Sequence, residues 1–225
     1  VGGMRIVATS DTHFPVDITR IPDGDVFIHA GDLMTTGYPE DFKRNIEWLA
    51  ALPHKLKLYV PGNHDFHLKV YPGPALQDLR RAGVWCIGLP GNERFDSYTL
   101  PNGMTVLGLP YVTHLPRWAF NIEHDELDAI LENKTYHDIV VSHAPMHRVL
   151  DKAPPGVGQE PVHTGIRSYR KWALKHHPKV WINGHIHEGY GCDAVGPPVA
   201  PTIVYNVAMC DRNFTHANAA VVIEV

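Results

Sequence analysis

The sequence predicts a layered α/β protein, with two sheets packed face to face and helices outside. Two observations carry the expectation. Short apolar runs of strand length alternate with amphipathic segments of helical period, and hairpin-type material appears in the middle and at the end of the chain. A third observation concerns chemistry: clusters of Asp, Asn and His follow directly where apolar runs stop.

The elements follow in order. Residues 5–9 (RIVAT) read as a short buried strand ending at Ser10-Asp11, and residues 25–29 (DVFIH) as a second ending at Gly31-Asp32. Between 40 and 51 the apolar positions Phe42, Ile46, Leu49 and Ala50 keep a helical spacing. Residues 56–60 (LKLYV) form a third strand that runs out at Gly62-Asn63-His64-Asp65. A short helix is predicted over 75–82 and a strand over 84–88. Residues 94–99 and 104–109 flank Pro101-Asn102-Gly103, a hairpin signature. Residues 123–132 put Leu127, Ile130 and Leu131 on one helical face, and 138–142 (DIVVS) is a strand leading into His143. A helix over 166–176 precedes a strand at 179–182 (KVWI), which stops at Asn183-Gly184-His185; strands at 202–207 and 219–224 close the chain. Residues 144–165, rich in Pro and Gly, show no period and read as a long loop of the kind that carries function or disorder.

Composition narrows the class. A chain of 225 residues, 44% apolar, fits one domain, expected over 4–225; Met4 directly precedes the first strand, so residues 1–3 are expected to be a cloning remnant. Net charge is −4 with no basic stripe, which argues against an extended nucleic-acid surface but leaves a small phosphorylated substrate or single nucleotide open. Three cysteines without CxxC spacing favour a reducing compartment, and no apolar run reaches membrane-spanning length or forms a signal peptide. A cytoplasmic protein is expected. Oligomeric state is not encoded in any pattern found.

Sixteen histidines are the unusual feature. Asp11 and His13, Asp32, Asn63 and His64, His143, and His185 with His187 all stand just beyond strand ends, where α/β sheets gather their ligand sites. The Asp-x-His and His-x-His spacings place both side chains on one side of an extended segment. Carboxylate, imidazole and amide oxygen suit Mn, Fe, Zn or Co. A carboxylate such as Asp32 can bridge two ions about 3.5–4 Å apart, and such a pair clamps phosphate and generates hydroxide near neutral pH, so no Ser or Cys nucleophile is required.

The motifs SDTH (10–13), GD (31–32), GNHD (62–65), SHAP (142–145) and GHIH (184–187), in this order over nearly the whole chain, resemble the calcineurin-like metallophosphoesterases. HIHEGYG at 185–191, with LPHKLKLYVP before GNHD, is most similar to the metallophosphoesterase-domain-containing subfamily, whose members are linked to phosphodiesters, including cyclic nucleotides. The resemblance implies a β-sandwich of two mixed sheets flanked by helices and two divalent metal ions, manganese favoured. It assigns Asp11, His13, Asp32 and His187 to one ion and Asp32, Asn63, His143 and His185 to the other. His64 becomes the histidine that meets the phosphate or leaving-group oxygen, so Asn63 and His64 are expected at the substrate. Ser142 stands where many members have Gly, at a position that is not a ligand.

Weaker candidates surround this set. His67, a few residues beyond the third motif, is expected to reach the substrate pocket; Asn206 follows a late strand and can face the site. Asp65 is expected to orient a neighbour or to cap the next segment, and His29, inside a strand, to be buried and hydrogen-bonded. His147 and His163 are expected at the surface, Trp48 and Trp172 in the core, and Arg148, Arg167 and Arg170 are candidate anion contacts. The expected activity is hydrolysis of a phosphodiester. A non-catalytic nucleotide-binding protein of the same fold and a phosphomonoesterase or protein phosphatase are the alternatives; the complete ligand set weighs against the first, and the short chain without an extended arginine grip against a protein phosphatase.

Overall fold

In the computed structural model, residues 3–156 and 158–225 are described. Val1 and Gly2, most of the expected cloning remnant, lie outside them. One sheet aligns β1 (Arg5–Thr9), β2 (Val26–His29), β3 (Leu56–Tyr59) and β4 (Val84–Cys86) in parallel, with antiparallel β13 (Val221–Glu224) at its edge beside β1. The second aligns β12 (Thr202–Asn206), β10 (Val180–Asn183), β7 (Ile139–Ser142) and β6 (Thr105–Leu109) in parallel. Its edges are antiparallel: β11 (Gly191–Val195) on β12 and β5 (Ser97–Thr99) on β6. Both sheets are therefore mixed, as expected.

The two-residue period of the strands sorts side chains between layers. Ile6, Ala8, Val26, Ile28 and Leu58 face Val106, Ile139, Val141, Val180 and Ile182 across the sandwich. Their odd neighbours face outward. Val7, Phe27 and Tyr59 meet Phe42, Trp48 and Leu49 of α1 (Pro39–Ala51) and Leu79 of α3 (Pro72–Arg81). On the other side Leu107, Val140, Trp181 and Val204 meet Leu127 and Leu131 of α4 (His124–Glu132) and Tyr169 and Trp172 of α5 (Arg167–His176). Each such aliphatic side chain contributes about 1.5–3 kcal/mol when fully buried. Strands buried on both faces explain why they read as unbroken apolar runs rather than alternating ones. Trp48 and Trp172 are core residues, as expected, and Trp48 Nε1–H donates to Val16 O at 2.8 Å.

Pro39 and Pro72 open α1 and α3 at the position where a missing N–H is harmless, so both helices start earlier than their apolar spacing indicates. Several elements were not foreseen. A short helix α2 (Phe66–Val70) follows the third motif, β11 borders the second sheet, and the 144–165 loop folds back on itself through the two-stranded pair β8 (Lys152–Ala153) and β9 (Val162–His163).

The parallel strands of each sheet bring their carboxyl ends to one edge of the sandwich. There the sheets are stitched together: Ser10, just past β1, bridges Ala208, just past β12, with Ser10 N–H donating to Val207 O at 3.0 Å and Met209 N–H to Ser10 O at 2.9 Å. Among the described residues no helix is long and apolar enough to cross a membrane.

Candidate metal centre

At this seam the chain leaves its strands through strained turns. Asp11, His13, Asp32 and His185 all adopt left-handed backbone conformations, with φ of 49°, 57°, 54° and 67°. Such angles are uncommon outside glycine, and their clustering at one place marks positions held by their surroundings rather than by local preference. Glycines make the approach possible. A Cβ on Gly184 would overlap Ser10 Oγ and Asp11 Oδ2, and one on Gly62 would overlap Asp32 Oδ1.

Two groups of ligand atoms result. Asp11, His13 and His187 each offer an atom within 4.8 Å of the others, as do Asp32, His143 and His185. Asp32 also groups with His13 and His64, so its carboxylate stands between the two sets. Asn63 completes the second set: its Oδ1 is 2.9 Å from His143 Nε2, and Asp32 Oδ2 is 3.3 Å from the same nitrogen. All seven sequence-predicted ligands are thus brought together, and all but His185 and His187 are almost fully buried.

The ring orientations decide whether a cation fits. His13 Nδ1–H donates to Met34 O (3.1 Å), His143 Nδ1–H to Ala30 O (2.9 Å) and His187 Nδ1–H to Asp211 O (2.8 Å). Each bond fixes the tautomer and turns the Nε2 lone pair inward, the arrangement by which outer partners orient metal-binding imidazoles. What the three lone pairs meet is not a donor. His13 Nε2 and His187 Nε2 face each other at 3.4 Å, with Asp11 Oδ1 3.3 Å from the latter and without a hydrogen-bond partner. His143 Nε2 faces the oxygens of Asn63 and Asp32. Acceptors converging in a buried place without donors require positive charge between them. Divalent ions fit both groups.

The electrostatics say the same in protons. Burial works against charge on His143 and His187, yet the carboxylates of Asp32 and Asp11 outweigh it and push both imidazoles up to about 9. Asp11 is held down at about 2: burial alone would raise it, but the neighbouring His187 and His143 prevail. Asp32 is driven far below the carboxylate range against its own burial, chiefly by His143. His185, desolvated and next to His143, falls to about 4 and stays neutral.

Supporting groups hold this frame. Asp65, fully buried, accepts N–H bonds from Gly62 (2.7 Å), Asp32 (3.0 Å) and Met34 (3.0 Å), tying the second and third strand-end turns together as expected of an orienting residue. Asp11 Oδ2 accepts from Ser10 Oγ–H (2.5 Å) and His185 N–H (2.9 Å), which links both sheets. Asn206 does not enter the site; its amide donates to Ile186 O and steadies the His185–His187 turn. His29 is buried under the centre, 2.9 Å from Thr12 Oγ1, as expected.

His64 lies at the rim. Its N–H donates to Asp32 Oδ1 (2.8 Å), and its Nδ1–H to Thr35 O (2.7 Å), leaving Nε2 free. The ring packs 4.5 Å from Trp118 and edge-on 4.7 Å from His13. His67 corrects the expectation. Carried away on α2, its ring stacks on Phe42 of α1 at 4.3 Å and neighbours Tyr71, so it fills a helix–helix contact instead of the pocket. Two aromatic rings at the mouth, Trp118 and Phe214, escaped sequence reading. Phe214 is half-exposed with φ 58° and lies 4.7 Å from His13 and 5.3 Å from His187, in a loop without period.

Residues 4–189 match the calcineurin-like phosphoesterase family. The chain belongs to that family. Metallophosphoesterase domain-containing protein 1 of Homo sapiens and that of Mus musculus are each 29% identical to it, over all of this chain and 72% of theirs. A solved structure of a Thermus thermophilus protein shares the fold at a TM-score of 0.58 and 17% identity, covering 91% of this chain and 88% of that one.

Proposed function

We propose that this metallophosphoesterase is a phosphodiesterase that works with two divalent ions, manganese serving best, on a nucleotide-type diester such as a cyclic nucleotide. The observation that carries the reading is the convergence of His13, His187, Asp11, His143, Asn63 and Asp32 as acceptors without a donor among them. When bound, the two ions supply Lewis acidity and bring the pKa of water near neutral. The remaining steps belong to the chain. Asp32, set between both ligand groups, fixes their separation, while the backbone carbonyls behind His13, His143 and His187 keep each Nε2 aimed. His64, anchored through Nδ1 on Thr35 O, presents Nε2 at the rim, where a protonated ring can give its proton to the departing alkoxide of a diester. Phe214 and Trp118 flank this position and offer faces for a planar base or aryl group. The free cysteines Cys86, Cys192 and Cys210 support a reducing, cytoplasmic setting.

The test is a metal-supplemented screen. Metal-free protein, verified by elemental analysis, is expected to be inactive and Mn²⁺ to restore it. Diesters, including 2′,3′- and 3′,5′-cyclic nucleotides, are expected to give a higher kcat/KM than monoesters. Full activity without metal overturns the mechanism, and a preference for monoesters overturns the substrate class.

A further inference from the structure

Next to the metal-ligand candidate His185 the surface opens into a cleft of 480 Å³, lined by His114, His124, His147, His163 and Arg167. Among the described residues no Asp or Glu lines it, although the chain as a whole carries a charge of −4. The basic groups come from separate segments: His114 from the loop after β6, His124 from the start of α4, His147 and His163 from the 144–165 stretch, and Arg167 from the start of α5. Their convergence is a product of the fold.

One carboxylate lies beneath the floor and is fully engaged. Asp151 is buried and accepts N–H bonds from Arg148 (2.8 Å) and Gly165 (2.9 Å), and from His163 Nδ1 at 2.6 Å. That last bond fixes the His163 ring and leaves its Nε2 free. With Nδ1 so held, Nε2 is the ring atom that His163 offers to a ligand in the cleft. His147 lies near the same carboxylate, Nδ1 at 3.7 Å, and its ring is 5.6 Å from that of His163. On another part of the wall the Nε2 atoms of His114 and His124 lie at hydrogen-bond distance, 2.9 Å.

A further metal site is not what these rings form. Among the described residues, sets of three ligand atoms within 4.8 Å occur only in the centre described above. A permanent guanidinium, a seated imidazole and further imidazole donors without an acid on the wall are instead the chemistry of an anion site.

We propose that this cleft binds a second anionic oxygen group of the substrate, carried a few bonds from the phosphoester held at the metal centre. The inference rests on the phosphoesterase reading of that centre and sharpens it: among phosphoesters, one that carries a further phosphate or carboxylate a few bonds away is preferred over one that does not. His163 and Arg167 are the specificity-determining residues, and Asp151 positions the first.

Calorimetry on the Mn²⁺-loaded full chain, with glycerol 3-phosphate and 3-phosphoglycerate as probes, tests this without turnover. The two share a phosphoester and differ by one carboxylate. 3-Phosphoglycerate is expected to bind about tenfold tighter or more. Arg167→Gln and His163→Ala, both at exposed positions, should each remove most of that advantage while leaving metal content and glycerol 3-phosphate affinity unchanged. Equal affinities, or an advantage that survives both variants, reject the cleft as an anion site while metal-dependent binding of glycerol 3-phosphate still upholds the centre. If the protein retains no metal and binds neither probe, the centre and the cleft fall together.

Discussion

Asp32 joins two ligand groups that otherwise share no atom, and so a change there reaches both. Asp32→Asn keeps the size and the oxygen that accepts the His64 N–H but removes the charge that offsets two cations. The variant is expected to retain fewer than two metal equivalents by elemental analysis and to lose turnover; two equivalents with a wild-type rate would show that Asp32 is not the bridge. His64 is separable from it. If its Nε2 supplies a proton to the leaving alkoxide, His64→Ala should hold both ions yet lose about 10²–10⁴-fold in rate. The loss should shrink for p-nitrophenolate, which leaves without protonation, and be largest for a ribose oxygen. His64 also has a nitrogen within 4.8 Å of His13 and Asp32, so metal content must be read on the same preparation. A missing equivalent would make His64 a ligand, and normal rates on both substrates would remove it from the mechanism.

Between elements, the turns after β2 and β3 are locked by one buried side chain. Asp65 takes three backbone N–H groups that neither sheet can satisfy. Asp65→Ala strands them, which costs about 1–3 kcal/mol for each buried donor left unmade. A loss of at least about 3 kcal/mol in denaturant unfolding is expected, with weaker metal retention in the folded fraction; unchanged stability would mean that water replaces the carboxylate. Burial also governs which elements were legible in the sequence. Strands buried on both faces announce themselves as apolar runs, and the candidate ligands stand at their ends, so the convergence of these seven residues and most elements could be read directly. Gly191–Val195 could not, because an exposed edge strand of small and polar residues has no apolar face to reveal it. The β8–β9 pair offers only two residues per strand within a Pro- and Gly-rich stretch. His67 is near Asn63 in sequence but not in space. Phe66–Val70 is a helix that turns its ring onto Phe42. The basic cleft was invisible for the converse reason, since its residues lie far apart along the chain.

For the molecule as a whole, the centre makes stability depend on pH in a way that metal should abolish. In metal-free protein, His143 and His187 bind protons more tightly folded than unfolded, at about 9 against the ordinary 6.5. Their contribution is complete below 6.5 and is lost as pH rises through 9. His29 and His185 act in the opposite sense. Burial holds them at about 3 and about 4, so the unfolded chain takes up protons first and stability falls as pH drops below 6.5. Asp11, depressed to about 2, adds a further loss at the acid end, where its folded-state advantage disappears below 3.8. Buried Asp65, raised to about 7 by desolvation and Asp32, costs stability as pH rises from 3.8 toward 7, and with the groups above it sets the maximum of the metal-free protein near pH 6.5. The expected direction is a Tm that declines between pH 6.5 and 9. If His143 and His187 hold the ions through Nε2, as the proposed function has it, those atoms would have no proton to lose in the Mn²⁺-loaded protein. Metal binding itself strengthens as competing protons leave the ligands. Calorimetric Tm values across this range, with and without Mn²⁺, are expected to diverge toward alkaline pH. Parallel profiles would mean that these two imidazoles do not bind the metal, whatever the enzyme's activity shows.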